Sequence, residues 1–218
     1  MRWKLAILSL CAAALPAPAG EPGKADPWEG AIQNFEKADA QNPPPKGAVL
    51  FLGSSSIVGW NLKKHFPNLA ALNRGFGGSQ IADSLRYVDR IVVPYAPKTI
   101  VFYAGDNDIA SGKKPEEVLE DFQSLVKKVR DALPKTRILF IAIKPSLARW
   151  KLYGKMSKAN DLVAEFIKSD ERLQYVDVAK TMLGEDGKPR PELFVQDGLH
   201  LSAKGYELWT SILLPHLK

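Results

Sequence analysis

The chain has 218 residues, a length that suits one domain with a single core. Hydrophobic residues make up 45% and charged residues 25%, which is ordinary for a globular protein. The formal net charge of +6 is modest, and the basic residues are scattered rather than interleaved with aromatic ones, so nucleic-acid binding is not expected.

The first 19 residues have the order of a secretory signal peptide. Arg2 and Lys4 precede an apolar run at 5–15, and Ala17-Pro18-Ala19 forms an Ala-x-Ala cleavage pattern. The apolar run is too short to span a bilayer as a helix. We therefore expect cleavage, a secreted or periplasmic protein, and no integral membrane span after cleavage.

Two alternatives for this segment stay open. It could remain as an uncleaved anchor, or Cys11, the only cysteine, could carry a lipid. The second is the weaker alternative, because Leu10 stands before Cys11 where a small residue is usual. Cleavage after residue 19 would leave a chain without disulfides or thiolates.

Residues 20–46 are expected to be a lead-in with one short helix. Trp28, Ile32 and Phe35 recur at helical spacing, and three consecutive prolines end the segment at 43–45. From residue 47 to 218 we expect one domain. Its apolar strand candidates lie at 48–52, 71–76, 99–103, 137–143 and 173–178, and its helix candidates at 56–65, 80–92, 116–133, 156–168 and 203–214.

This alternation of strands and helices predicts parallel pairing with right-handed crossovers. The strands read as continuous apolar runs, as expected when helices cover both faces of a sheet. The fold class is therefore α/β, a three-layer α/β/α sandwich around a five-stranded parallel sheet. Ligands of such sheets bind beyond the carboxyl ends of the strands.

Four motifs occupy or adjoin that edge, and each by itself is also an ordinary turn. The first three follow strands one to three, and the fourth precedes the last helix: Gly53-Ser54-Ser55-Ser56, Gly75-Phe76-Gly77-Gly78-Ser79, Gly105-Asp106-Asn107-Asp108 and Asp197-Gly198-Leu199-His200. The second motif lacks the dinucleotide-binding spacing because position 80 is Gln. The third could also be an oxygen-rich cation site.

Of the three histidines, His200 is the candidate base. His65 stands beside lysines at a helix end, and His216 lies near the chain terminus. Asp197, three residues before His200, can accept from its Nδ1 and leave Nε2 free to activate a serine hydroxyl. The amides of Ser55 and Gly78 and the side chain of Asn107 are candidate donors to an oxyanion.

At these residues the sequence resembles the SGNH, or GDSL, hydrolase superfamily, in its esterase and acylhydrolase branch. The resemblance covers about residues 47–217 and implies a flavodoxin-like fold. It also implies a catalytic triad of Ser55, Asp197 and His200, with an oxyanion hole of Ser55, Gly78 and Asn107. No cofactor and no metal are implied.

Two residues depart from the family pattern. Ser54 replaces the usual aspartate, which leaves Ser54 and Ser56 as alternative nucleophiles. Asp106 replaces a more usual glycine and predicts extra negative charge near His200, with a raised His200 pKa as a hypothesis. Position 57 is Ile, so the Gly-x-Ser-x-Gly elbow of other serine hydrolases is absent.

Further residues are candidates for substrate binding. Lys144, Arg149 and Trp150 follow strand four at the same edge, although ordinary loop packing is the favoured explanation for them. Arg74 is either a buried partner of Asp106 or Asp108 or a site for a substrate anion, and Asp106 itself could meet the substrate. Trp60 is expected in the core.

The expected function is hydrolysis of a small-molecule, lipid or carbohydrate ester. Short-acyl esters, lysophospholipids and O-acetylated carbohydrate are the substrate classes in view, and the missing long apolar lid favours short acyl groups. A non-catalytic carbohydrate- or envelope-binding module on the same fold is the alternative. A cation-dependent phosphoesterase that uses Asp106 and Asp108 is a third reading.

Overall fold

The structure, a computed structural model, describes residues 26–217. The expected signal peptide, including Cys11, and the first residues of the lead-in lie outside the described residues. Within the described part, no helix is long and apolar enough to cross a membrane.

Five strands form one parallel sheet, as predicted. They are β1 (Val49–Gly53), β2 (Ala71–Gly75), β3 (Thr99–Tyr103), β4 (Arg137–Ile141) and β5 (Leu173–Val176). Their order across the sheet is β2-β1-β3-β4-β5, and every pairing is parallel. This is the flavodoxin-like order, in which the switch point lies between the carboxyl ends of β1 and β3.

The helices connect and cover these strands. In chain order they are α1 (Glu29–Gln41), α2 (Ser55–Val58), α3 (Leu62–His65), α4 (Ile81–Arg86), α5 (Val88–Ile91), α6 (Asp106–Ala110), α7 (Pro115–Ala132), α8 (Tyr153–Ile167) and α9 (Ala203–Leu213).

The two-residue period of the strands divides the core into two halves. Leu50 and Leu52 of β1 point to one face, where they join a cluster with α1, α4, α5, α7 and α8. Val49 and Phe51 point to the other face, which α2, α3 and α9 cover. The three-layer α/β/α sandwich is thereby confirmed.

Two predicted helices are each divided in the structure. The helix predicted at 56–65 is instead α2, which ends at Val58, followed by α3; the Tyr206 hydroxyl lies 2.3 Å from the position of a Cβ at the intervening Gly59. Asn61 then caps α3 by accepting from the Lys64 amide at 3.0 Å. The helix predicted at 80–92 is likewise α4 and α5, with Tyr87 between them.

Candidate active site

Ser55 lies at the first position of α2, directly beyond the end of β1. The strand ends at Gly53, whose φ is +133° and where a Cβ would lie 1.9 Å from the Tyr103 carbonyl oxygen, so only glycine fits. The turn that Gly53 permits brings Ser55 to the switch point of the sheet with its side chain partly exposed.

The hydroxyls of the three neighbouring serines have different surroundings. Ser54 and Ser56 are each 1% exposed, and neither hydroxyl has a hydrogen-bond partner in the described part of the chain. The Oγ of Ser55 instead lies 3.0 Å from Nε2 of His200. Burial removes Ser54 and Ser56 from contact with a substrate, so the geometry favours Ser55 as the nucleophile.

His200 is held by Asp197 through a short turn. Asp197 Oδ2 lies 2.6 Å from His200 Nδ1, and Asp197 Oδ1 accepts from the amides of Leu199 and His200 at 2.8 and 2.9 Å. The hydrogen bond from His200, together with these amides, holds the pKa of Asp197 well below its ordinary value. A carboxylate on Nδ1 leaves Nε2 as the acceptor for the Ser55 hydroxyl.

Two backbone amides beside Ser55 are free to donate. Among residues 26–217, the amides of Ser55 and Gly78 have no acceptor. Gly77 also faces Ser55, because a Cβ placed on Gly77 would lie 3.9 Å from the Ser55 Cβ. Unpaired amides at a helix start and in a glycine loop are able to donate to a negative oxygen.

The side-chain amide of Asn107 completes this group of donors. Its Nδ2 donates to the Ser79 carbonyl at 3.0 Å, and its Oδ1 accepts from Arg149 Nη1 at 2.9 Å. Since Arg149 can only donate, this contact fixes which end of the amide is nitrogen. One Nδ2 hydrogen is left for a further acceptor.

A buried ionic network lies beneath Asn107. Asp106 Oδ2 lies 3.2 Å from both Lys144 Nζ and Arg149 Nη1, and Lys144 also donates to the Tyr103 hydroxyl at 3.1 Å. Burial opposes ionisation of Asp106, but the two cations outweigh it and hold the Asp106 pKa below its ordinary value.

This network corrects several expectations from the sequence. The extra negative charge expected from Asp106 is balanced by two cations, which removes the argument for its effect on His200. Lys144 and Asp106 are 1% and 5% exposed, so neither is placed to bind a substrate. Arg149 is partly exposed and contacts Asn107, and its direct contact with a substrate stays a prediction.

We expect the substitution Asp106→Ala to lower the free energy of unfolding by about 3–5 kcal/mol, because it leaves Lys144 buried without a counterion. Urea denaturation at neutral pH measures this loss. The matched control is Asp131→Ala, which breaks the exposed Lys127–Asp131 pair and should cost less than about 1 kcal/mol. Equal losses in the two variants would contradict the expectation.

The effect of Asp106→Ala should also depend on pH. A folded-state pKa below the ordinary value means that Asp106 contributes stability above the unfolded carboxyl pKa. That contribution is lost as the pH falls through the folded pKa. The difference in stability between parent and variant should therefore shrink on acidification.

Arg74 is placed differently from either sequence-based alternative. Its Nη2 pairs with Asp39 of α1 at 2.5 Å, and its Nε donates to the Tyr95 hydroxyl at 3.0 Å. The guanidinium also lies over the rings of Phe35 and Tyr95. Arg74 therefore fastens α1 to the sheet, and the predictions of an Asp106 or Asp108 partner and of a substrate anion are wrong.

The carboxylates of the third motif, Gly105-Asp106-Asn107-Asp108, are not arranged as the alternative of a cation site requires. Asp108 is fully buried and lies 3.1 Å from the ammonium of Lys113, and Asp106 faces Lys144. Each carboxylate thus contacts the ammonium group of a lysine. Among residues 26–217, no group of three or more His, Cys, Asp or Glu is arranged to hold a metal ion.

Trp60, Trp150 and Trp28 differ in burial and in their contacts. Trp60 is 2% exposed and donates to Thr210 at 3.2 Å, so its place in the core is confirmed. Trp150 is half-buried and stacks on Tyr153 with 5.1 Å between ring centroids, and its contact with substrate stays a prediction. The position of Trp28 beside the glycine loop was not predicted: its indole N–H donates to the Gly77 carbonyl at 2.9 Å.

The family to which the chain belongs follows from a match over most of its length. Residues 47–208 match the GDSL-like Lipase/Acylhydrolase family. The chain therefore belongs to this family and is a carboxylic ester hydrolase. None of the curated proteins matches the sequence.

Solved structures share the fold at low sequence identity. A protein from Streptococcus pneumonia with the provisional name platelet activating factor is 24% identical, with a TM-score of 0.78 over 87% of this chain and 92% of its own. A GDSL-like lipase from Bacteroides thetaiotaomicron is 18% identical, with a TM-score of 0.72 over 85% and 96%. A mutant acetyl-xylooligosaccharide esterase from Geobacillus is 16% identical, with a TM-score of 0.63 over 80% and 95%.

Proposed function

We propose that the protein hydrolyses short-acyl esters through a Ser55–His200–Asp197 triad. The observation that carries this proposal is the hydrogen-bonded chain from Ser55 Oγ to His200 at 3.0 Å and on to Asp197 at 2.6 Å, beside unpaired amides. A serine hydroxyl next to a base that a third group orients is the arrangement of an activated nucleophile.

In this mechanism His200 Nε2 takes the Ser55 proton while Ser55 Oγ attacks the ester carbonyl. The carbonyl oxygen becomes an oxyanion that accepts from the amides of Ser55 and Gly78 and from Asn107 Nδ2. His200 then protonates the leaving alcohol. Water attacks the acyl group on Ser55 by the same path in reverse, which releases the acid and restores the hydroxyl.

The surroundings of the triad favour a small acyl group. The side chains of His200 and Asp197 are 44% and 47% exposed, so the reacting serine meets solvent directly. A mainly apolar cavity of about 370 Å³ lies away from the triad, between the end of α3 and the residues after α9, with Phe66, Leu69 and Leu214 in its lining. Ser55, Asp197 and His200 do not line this cavity.

O-acetylated carbohydrate is the short-acyl substrate class that we favour. An open site accepts a bulky alcohol such as a sugar chain more readily than an enclosed one. The similarity in fold to the acetyl-xylooligosaccharide esterase agrees with this choice. Lysophospholipid, with its long acyl chain, is the competing class.

The test combines covalent labelling with substrate preference. A p-nitrophenyl alkylphosphonate should release p-nitrophenolate and leave phosphorus on Ser55, which mass spectrometry of the peptide identifies. p-Nitrophenyl acetate should have a higher kcat/KM than the octanoate, and acetylated xylo-oligosaccharide should be deacetylated faster than lysophosphatidylcholine is hydrolysed. Hydrolysis of p-nitrophenyl acetate and deacetylation of the xylo-oligosaccharide should both persist in the presence of a metal chelator.

Each outcome assigns or removes one reading. A protein that neither reacts with the phosphonate nor hydrolyses any ester would be the non-catalytic binding module. Activity that is lost in chelator and aimed at phosphoesters would support the cation-dependent enzyme. Octanoate and lysophosphatidylcholine as the better substrates would overturn the short-acyl proposal but leave the triad in place.

A further inference from the structure

Trp28 joins the N-terminal segment to the glycine loop beside Ser55. It is the cap residue of α1, and its indole Nε1 donates to the Gly77 carbonyl at 2.9 Å. The residue lies before position 47, where the match to the family begins. This contact therefore comes from a part of the chain that the family match does not include.

The carbonyl that Trp28 holds belongs to the same peptide group as the Gly78 amide. A trans peptide is planar, so its C=O and N–H point in opposite directions. No peptide bond within residues 26–217 is cis. A donor that fixes the direction of the Gly77 carbonyl consequently fixes the direction of the Gly78 N–H.

The loop needs such a restraint because two of its residues are glycines. Gly78 has φ +77° and no side chain that could pack, and apart from its chain neighbours no atom lies within 4 Å of the position of a Cβ there. The carbonyls of Phe76 and Ser79 on either side accept from Ser79 Oγ at 2.8 Å and from Asn107 at 3.0 Å. Of the two peptides between them, Trp28 supplies the corresponding bond for Gly77–Gly78.

Trp28 is itself well anchored. Its ring packs edge-on against Phe76 with 6.2 Å between centroids, and its backbone N–H donates to Asp26 at 3.1 Å. Arg90 of α5 pairs with Glu29 and Glu36 of α1, each at 2.7 Å. The helix that follows Trp28 is thus docked on the domain, and the indole is held against the loop.

We propose that Trp28 is a positioning residue for the oxyanion hole: its indole N–H holds the Gly77–Gly78 peptide with the Gly78 amide turned toward the oxyanion. The inference rests on the proposed function, since it assigns the Gly78 amide to the oxyanion. It makes the segment before residue 47 a working part of the enzyme.

The first test replaces one donor and keeps the ring. Trp28→Phe should lower kcat/KM for p-nitrophenyl acetate by about 2- to 13-fold, the factor that one neutral hydrogen bond is worth. This is less than the roughly 10²- to 10³-fold cost of removing an oxyanion donor, because the Gly78 amide is loosened and not removed. The rate of phosphonate labelling should fall by a similar factor, with KM little changed.

The matched control loosens the same segment but leaves the indole intact. Tyr87→Phe removes the hydrogen bond that the Tyr87 hydroxyl donates to Asp26. We expect its kcat/KM to stay within about twofold of the parent, a limit set by the small effect of distant substitutions. An equal loss in Tyr87→Phe would assign the effect to general loosening and overturn the proposal.

A second variant covers the case in which Trp28→Phe unfolds. Benzothienylalanine at position 28 has the size of tryptophan and sulfur in place of the N–H, so packing against Phe76 is kept. It should show the same fall in kcat/KM and in labelling rate. Parental rates in this variant would overturn the role of Trp28, whereas activity that does not depend on Ser55 would overturn the proposed function itself.

Discussion

Ser55→Ala is expected to reduce kcat/KM for p-nitrophenyl acetate by about 10⁴-fold or more, because losing the nucleophile of such a triad removes most of the rate enhancement. The oxyanion donors would remain, so a trace of hydrolysis above the rate in water is expected. Initial rates at several enzyme concentrations measure this remaining activity. The labelling by phosphonate should disappear in the same variant.

The neighbouring serines supply controls of matched size. Ser54→Ala and Ser56→Ala each remove a buried hydroxyl that has no partner in the described part of the chain. Removing an unpaired buried hydroxyl costs little or stabilises. Activity close to the parent in both variants would complete the assignment of Ser55, and loss of activity in one of them instead of Ser55→Ala would reverse it.

Asp197→Asn should lower kcat by about 10²- to 10⁴-fold, where the upper figure is the loss known for the same exchange in the serine-protease triad. The carboxylate accepts from His200 Nδ1 at 2.6 Å, whereas an amide can donate there and favour the wrong tautomer. The half-exposed position of Asp197 is the reason for a range that extends below the protease value.

Asp186→Asn is the control for this variant. Asp186 begins a similar Asp-Gly turn, and its Oδ1 accepts from the amide two residues on at 3.0 Å, as Asp197 Oδ1 does at 2.8 Å. It has no histidine to orient. If both Asn variants keep the parental kcat, Asp197 has no part in the reaction.

The low pKa of Asp197 also defines its pH behaviour. The hydrogen bond from His200 and those from the turn amides keep Asp197 ionised through the neutral and mildly acidic range. A fall in kcat/KM of the parent on mild acidification would therefore not come from protonation of Asp197. Any stability that the lowered pKa contributes is present above the unfolded carboxyl pKa and is lost at stronger acidity.

The fold and the hydrogen-bonded arrangement of Ser55, His200 and Asp197 could be predicted because their signals are local. Each strand is a continuous apolar run, and each site motif directly follows a strand or precedes a helix. Parallel pairing then brings Ser55 and Asn107 to one edge without further information. The Asp197–His200 hydrogen bond spans only three residues, so it too could be read from spacing.

The contacts that the sequence did not reveal join residues far apart in the chain. Asp106 finds Lys144 and Arg149 some forty positions later, and Arg74 finds Asp39 in a helix that seemed only a lead-in. Such pairs depend on how loops and helices pack, and no periodicity encodes them. The contact of Trp28 with Gly77 could not be predicted for the same reason. Its acceptor is a backbone carbonyl, which every residue has.

The docking of α1 separates two boundaries within this chain. The sheet begins at Val49, yet Trp28 and Asp39 contact the glycine loop and the strand that precedes it. A chain shortened to begin at the first strand would keep all five strands and Ser55, Asp197 and His200. It would lose the hydrogen bond from Trp28 to the Gly77 carbonyl of the glycine loop. By the proposal for Trp28, recombination or fusion at that point would transfer the fold but give a slower enzyme. The segment that has to be transferred for full activity is then longer than the part that matches the family, which begins at residue 47.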